Sequence, residues 1–171
     1  MTVHLIARPI VAGTGHRPDK LGGYGDLARD TLVDFAIEEL ALLKPRIVIS
    51  GMALGWDQAL ATAALELDIR FWAYLPFEGQ EAKWPENAKR RFEKLLNHAD
   101  KMVVVSSGSY EPWKMQARNE RMVDDCTVLS ALYNGDKEGG TYNCVTYAEK
   151  QKRTINNCWQ RWLDFNAQNA A

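Results

Sequence analysis

Ser50-Gly-Met-Ala-Leu-Gly-Trp-Asp57, preceded by Arg46-Ile-Val-Ile49, is the stretch on which the reading of this chain turns. The run before Ser50 is short, apolar and β-branched, which predicts a strand over 46–50 covered on both faces. The run after it, Gln58 to Leu67, carries alanine and leucine at helical spacing and predicts a helix. Between them stand two glycines and an acid. Gly51 and Gly55 have no Cβ, so the backbone can turn sharply and a ligand can approach its N–H groups closely. Those groups lie at the positive end of the helix that follows. A second loop of this kind, Gly135-Asp-Lys-Glu-Gly-Gly-Thr141, follows the strand-like Thr127-Val-Leu-Ser-Ala-Leu-Tyr133. Two such cradles predict one nucleotide-like ligand between them.

Working outward, strand-like and helix-like runs alternate along the whole chain. The first strand is placed within Leu5 to Ala12, ending at the loop Gly13-Thr-Gly-His-Arg-Pro18, and a helix with an apolar stripe is placed over 27–43. A strand over 70–75 ends at Pro76-Phe-Glu-Gly-Gln80, a polar helix covers about 85–98, and a strand covers 101–105. After the connection Ser106 to Trp113 come a helix over 114–125, the strand over 127–133, a helix to near Lys152 and a last strand over 154–159. The polar stretch 160–171 reads as a C-terminal tail, docked by Trp162 and Phe165. This order predicts an α/β chain: a single Rossmann-like domain, 1–171, with an open, mainly parallel sheet and helices on both faces. Ligands of such sheets sit beyond the carboxyl ends of the strands, and every loop named above falls at such an end.

Composition narrows the function. The chain has 171 residues, 46% hydrophobic and 25% charged, with a formal net charge of −1, which argues against a nucleic-acid partner. Cys126, Cys144 and Cys158 form no CxxC pair, so neither a disulfide framework nor a zinc site is indicated, and a reducing cytoplasmic setting is expected. The apolar stretch Val3 to Ala12 is broken by His4, Arg8 and Pro9 and has neither a signal-peptide layout nor the length of a membrane span. No metal and no cofactor are expected; the partner is a small-molecule nucleotide or nucleotide derivative.

Several motifs taken in order resemble a known group. Thr14-Gly-His-Arg-Pro18 with Leu21, Ser50 to Asp57, Leu75-Pro-Phe77 with Gln80 and Trp84, and Lys137-Glu-Gly-Gly-Thr141 with Tyr147-Ala-Glu-Lys150 resemble the YpsA-like proteins of the SLOG superfamily. The resemblance covers nearly the whole chain. It implies a Rossmann-like fold that binds nucleotides or their derivatives, in a superfamily that also holds LOG-type phosphoribohydrolases and DprA-type single-stranded DNA binders. LOG-type enzymes carry Met-x-x-Arg-Lys-x-x-Met ahead of Gly-Gly-x-Gly-Thr-x-x-Glu, and the arginine and glutamate serve catalysis. Here Met115-Gln-Ala-Arg118-Asn119-Glu-Arg-Met122 stands at the first motif, so the resemblance gives Arg118 that role. At the glutamate this chain has Cys144, and the second glycine is missing, which leaves Asp57, Glu138 or Glu149 to supply the acid. LOG-type relatives are commonly dimers, so the resemblance also implies a homo-oligomer.

The candidate catalytic residues are Asp57, as the carboxylate that stabilises charge on a ribose ring during N-glycosidic cleavage, and Arg118, as a bidentate phosphate clamp. The nucleotide-binding set is Thr14, Gly15, His16, Arg17, Ser50, Gly51, Met52, Gly55, Pro76, Phe77, Gln80, Trp84, Asn119, Gly139, Gly140 and Thr141. Gln80 and Trp84 could recognise and stack a base, with packing as the plainer alternative, and Tyr110 and Trp113 carry the same two readings. Elsewhere the plainer alternatives are a first-turn acid for Asp57, a solvated arginine for Arg118 and a structural hydrogen bond for His16. A buried structural role is the alternative for Cys144. Three functions compete: cleavage of a nucleoside 5′-monophosphate, sensing or sequestration of an ADP-ribose-type nucleotide without turnover, and DprA-like single-strand binding.

Overall fold

The strand run of the sequence becomes a six-stranded, wholly parallel sheet in the order β4-β3-β2-β1-β5-β6, in a computed structural model that describes residues 7–170. The strands are β1 (Ile10–Gly15), β2 (Ile47–Ser50), β3 (Arg70–Leu75), β4 (Lys101–Val104), β5 (Val128–Leu132) and β6 (Thr154–Asn157). The helices are α1 (Asp26–Leu43), α2 (Trp56–Glu66), α3 (Glu86–Asn97), α4 (Pro112–Asp125), α5 (Gly139–Lys150) and α6 (Trp159–Asn169). The fold is α/β and Rossmann-like. Strand alternation splits the core into two layers. Val48, Phe71 and Ala73 face α1, α2, α3 and α6, where Phe35, Leu60, Phe92 and Trp162 meet them. Ile49, Tyr74 and Leu129 face α4 and α5 through Met122, Val123 and Cys144.

β1 sits in the middle of the sheet, pairing with β2 on one side and β5 on the other. The helix after β1 lies on one face and the helix after β5 on the other. The connections leaving the two strands therefore part to opposite faces at the carboxyl ends, which is the switch point where open α/β sheets leave a crevice.

Two segments differ from the sequence expectation. The predicted first strand begins on residues outside those described, and the strand observed runs on through Gly13, Thr14 and Gly15, which the sequence reading assigned to a loop. The glycines are there because α2 presses on the strand: a Cβ at Gly13 would lie 2.3 Å from Leu60 Cδ1, and one at Gly15 2.6 Å from Trp56. The expected tail is helical instead. In α6, Trp162 and Phe165, three residues apart, pack on Phe35 with ring centroids 5.3 and 5.4 Å away. Glu39, on the apolar stripe of α1, is buried and held by Arg161 of α6 at 2.6 and 2.7 Å.

Candidate functional site

A cleft of about 520 Å³ opens at the switch point. One lip is the end of β1 and the turn after it, from Thr14 to Lys20; another is the first turn of α5, Gly139 to Thr141; the third wall is α4, with Arg118 and Asn119. Ten of the predicted residues border it: Thr14, Gly15, His16, Arg17, Asp57, Arg118, Asn119, Gly139, Gly140 and Thr141. Lys20 of the first lip is tied to Asp136, in the loop after β5, by an ion pair at 2.9 Å.

The first turn of α5 carries amide N–H groups without intrahelical partners. Its N-cap, Glu138, makes no side-chain capping bond, and Gly139 has φ +90°, a conformation that favours glycine. Uncapped helix-start amides of this kind suit an anion, the ligand the sequence reading expects at that loop.

The loop after β2 is built differently from the expectation. Three of its amides are used internally: Met52 N–H donates to Ser50 Oγ at 3.1 Å, Ala53 N–H to Asp57 Oδ2 at 3.3 Å, and Trp56 N–H to the His16 carbonyl at 3.4 Å. Ser50 Oγ in turn donates to the Asp57 carbonyl, and Gln58 Nε2 to the Met52 carbonyl. Met52 is buried at φ +62°. Gly51 does not face the cleft. A Cβ on it would lie 2.7 Å from Arg118 Nη1 and 2.8 Å from Asp57 Oδ2, so its lack of a side chain leaves room for both groups beside the backbone. Gly55, at φ +97°, abuts the His16 carbonyl and borders a separate groove of about 640 Å³ between α1, α2 and α3. The loop's hydrogen bonds fix Asp57 in place. Ser50, Gly51, Met52 and Gly55 are its framework.

Four more predicted residues stay out of the cleft lining. Trp84 packs edge-on against Phe92, Pro76 is buried, and Phe77 is buried under Tyr110. Gln80 Nε2 donates to the Gly51 carbonyl at 3.3 Å.

The cleft floor holds two charges in a nearly dry setting. Arg118 is 4% exposed; its Nη1 donates to the Gly51 carbonyl at 2.5 Å and its Nε to Asn119 Oδ1 at 2.9 Å. Asp57 is 8% exposed. Burial pushes its carboxyl above the ordinary aspartate range, and the Arg118 guanidinium and the Ala53 N–H pull the other way. Burial likewise pulls Arg118 down, although an arginine stays charged. His16 is lowered by burial first and by Lys20 second. Its Nε2 accepts the Asn134 N–H at 3.0 Å, which leaves the proton on Nδ1, and its ring stands edge-on to Trp159. Cys144, at the position of the LOG-type glutamate, is buried in the α5 layer outside the cleft lining, and its thiol is pushed up to about 12, chiefly by burial.

Sequence reasoning did not single out Lys20, Ala53, Gln116 or Asn143, which also border the cleft. One signal was available: Gln116 and Asn119 stand one helical turn apart on the helix that carries Arg118. Among the described residues no three His, Cys, Asp or Glu side chains group closely enough to hold a metal ion, and no helix is long and apolar enough to cross a membrane.

Comparison with known proteins agrees with this architecture. Among solved structures, DNA processing protein A (DprA) from Streptococcus pneumoniae superposes with a TM-score of 0.60 at 20% identity over 86% of this chain, which spans 49% of that one. The molybdenum cofactor carrier protein MCP from Chlamydomonas reinhardtii superposes with a TM-score of 0.53 at 18% identity, covering 86% of this chain and 74% of that one. At these identities the likeness is one of fold. In sequence, the chain is 33% identical over 147 residues to an uncharacterized SPbeta prophage-derived protein, YoqJ, of Bacillus subtilis, covering 76% of this chain and 85% of the relative. It is 30% identical over 159 residues to the UPF0398 protein YpsA of the same organism, covering 84% and 86%. The family model described as the YspA SLOG family matches residues 11–166. The chain belongs to the YspA SLOG family.

Proposed function

We propose that the chain binds a nucleotide or nucleotide derivative in the switch-point cleft, with phosphate on the first turn of α5 and sugar over Asp57 and Arg118. The observation that carries this reading is the convergence, in one cleft of about 520 Å³, of uncapped helix-start amides with the Asp57 and Arg118 side chains from two other elements. Backbone amides at a helix start suit phosphate oxygens, and Arg17 and Lys20 on the facing lip add positive charge.

Two fates of the ligand follow from different features. A carboxyl buried beside the sugar position supports cleavage of the N-glycosidic bond of a nucleoside 5′-monophosphate, because it can stabilise the cationic ring of the transition state. The buried thiol of Cys144, where LOG-type enzymes place their glutamate, supports retention without turnover, as in a sensor for an ADP-ribose-type nucleotide. One experiment separates them. The protein is incubated with AMP, GMP, CMP, UMP and ADP-ribose, its melting is followed, and the solution is then chromatographed. A ligand-dependent rise in melting temperature is expected, since binding to the native state stabilises it by mass action. Free base in the eluate identifies hydrolysis; intact ligand identifies retention. No rise with any of the five refutes the nucleotide reading, and a salt-sensitive shift with a single-stranded oligonucleotide instead points to DprA-like binding, the mode named for the Helicobacter pylori DprA structure.

A further inference from the structure

The connection from β4 to α4 is built around a buried lysine. Lys114 is 4% exposed, and its Nζ donates to the carbonyls of Ser107 at 2.6 Å and Ser109 at 2.5 Å. The Glu111 carboxylate lies 3.5 Å away, so the ammonium is hydrogen-bonded twice and paired with an opposite charge. The backbone can wrap this closely because Gly108 adopts φ +79°; a Cβ there would stand 3.3 Å from Nζ. Trp113 completes the knot, donating its indole N–H to the same Glu111 carboxylate at 3.0 Å.

Tyr110 sits between the two anchored residues Ser109 and Glu111 and borders the cleft. Its ring stands edge-on to the buried Phe77, with centroids 6.0 Å apart, yet the residue remains 61% exposed. An aromatic ring supported along one side and open at the mouth of a cleft is suited to stacking. Burying an ammonium to fix a surface loop is costly unless every donor is satisfied, and here it fixes the one residue of the loop that reaches the cleft.

We propose that Tyr110 is the platform on which the ring of the bound nucleotide stacks, and that Lys114 is the positioning residue that holds it there. The inference rests on the nucleotide reading above and adds to it that the ligand carries an aromatic base, held at the α4-side lip that Tyr110 forms.

The test uses AMP and ribose 5-phosphate, which share sugar and phosphate and differ by the base, against the full chain and its Tyr110→Ala, Tyr110→Phe and Lys114→Met variants. Loss of a stacked base weakens binding by roughly five- to 150-fold. Tyr110→Ala is expected to lose that much affinity for AMP while its affinity for ribose 5-phosphate is unchanged, and Tyr110→Phe is expected to retain both. Lys114→Met is expected to show the same selective loss and faster amide exchange across residues 107–111, whereas a merely structural lesion lowers both affinities together. If Tyr110→Ala binds AMP as wild type does, or loses both probes equally, the platform is refuted. If Lys114→Met leaves amide exchange and AMP binding unchanged, the positioning role is refuted. A wild-type chain that binds neither probe, and whose melting none of the five nucleotides above raises, overturns the nucleotide reading and this inference with it, a failure distinct from wild-type binding that Tyr110 does not influence.

Discussion

Replacing Arg118 by methionine tests whether the cleft floor is held together by its charges. The guanidinium makes two hydrogen bonds, to the Gly51 carbonyl at 2.5 Å and to Asn119 Oδ1 at 2.9 Å. Methionine fills much of the volume and makes neither. The Gly51 carbonyl keeps only the longer bond from Gln80 Nε2, at 3.3 Å. Hydrogen bonds to a charged group contribute about 1.5–3 kcal/mol each, and the half-buried Asn119 partner recovers some of its share from water, so the expected loss is about 2–4 kcal/mol. For a domain of this size that corresponds to a fall in melting temperature of roughly 4–16 °C.

The loss also depends on pH, with a sign set by Asp57. Its folded-state pKa lies above the unfolded value, chiefly through burial and against the pull of Arg118. Such a carboxyl costs stability in full above its folded pKa, and the cost disappears as pH falls below the unfolded one. Without Arg118 the folded pKa climbs further. The deficit of Arg118→Met relative to wild type is therefore largest at neutral pH and shrinks on acidification, and Asp57→Asn in the same chain restores part of it. Urea denaturation of wild type, both single variants and the double variant, at neutral and mildly acidic pH, reads all of this as a coupling energy. A melting change below about 2 °C, a deficit independent of pH, or strict additivity of the two substitutions refutes the argument.

Asp57→Asn alone removes the buried charge, so it is expected to unfold at higher urea concentration than wild type at neutral pH, an advantage that fades on acidification, and to release no base in the chromatographic assay. Gly15→Ala forces a Cβ to within 2.6 Å of the Trp56 side chain; overpacking of this kind costs about 1–3 kcal/mol, measurable as a lower urea midpoint. Arg161→Ala strands the buried carboxylate of Glu39; because Arg161 is itself half-exposed, we expect about 2–3 kcal/mol, less than for a fully buried pair, and a loss under about 1 kcal/mol shows it to be an ordinary surface bridge.

The fold was legible wherever periodicity and burial agree. β3 was placed over 70–75 and is found at Arg70–Leu75; the helix placed over 27–43 is found at Asp26–Leu43. The errors share a cause: local sequence does not report which distant residue will press on a segment. Gly13 and Gly15 look like loop residues until Leu60 and Trp56 are seen against them. α6 looks like a tail because its apolar content is confined to one narrow stripe, which becomes a stabilising face only once Phe35 is opposite.

The site follows the same pattern. Thr14 to Arg17 and Gly139 to Thr141 reach the cleft because strand ends and helix starts in such a sheet face one edge, which the alternation of elements already implies. The glycines of 51–55 were misjudged because a glycine signals a close approach without saying by what. At Gly51 the approaching groups are Arg118 and Asp57, from within the protein. Tyr110 is legible in the sequence as a ring that could stack or pack, but Lys114 was beyond reach, since a buried lysine is recognised by the carbonyls around it and those are invisible in a sequence.

The central position of β1 has a kinetic consequence. Val11 meets Val48 after one short excursion of the chain, but meets Val128 only after three further βα units have been traversed. Pairings that close so long a stretch are entropically slow to form, and the cleft straddles the second of these junctions. A chain that has assembled only its first four strands has half a cleft and nothing for a ligand to clasp. Any molecule gripping both lips holds shut the seam that zips last, so occupancy should register most strongly as a slower parting of β5 from β1.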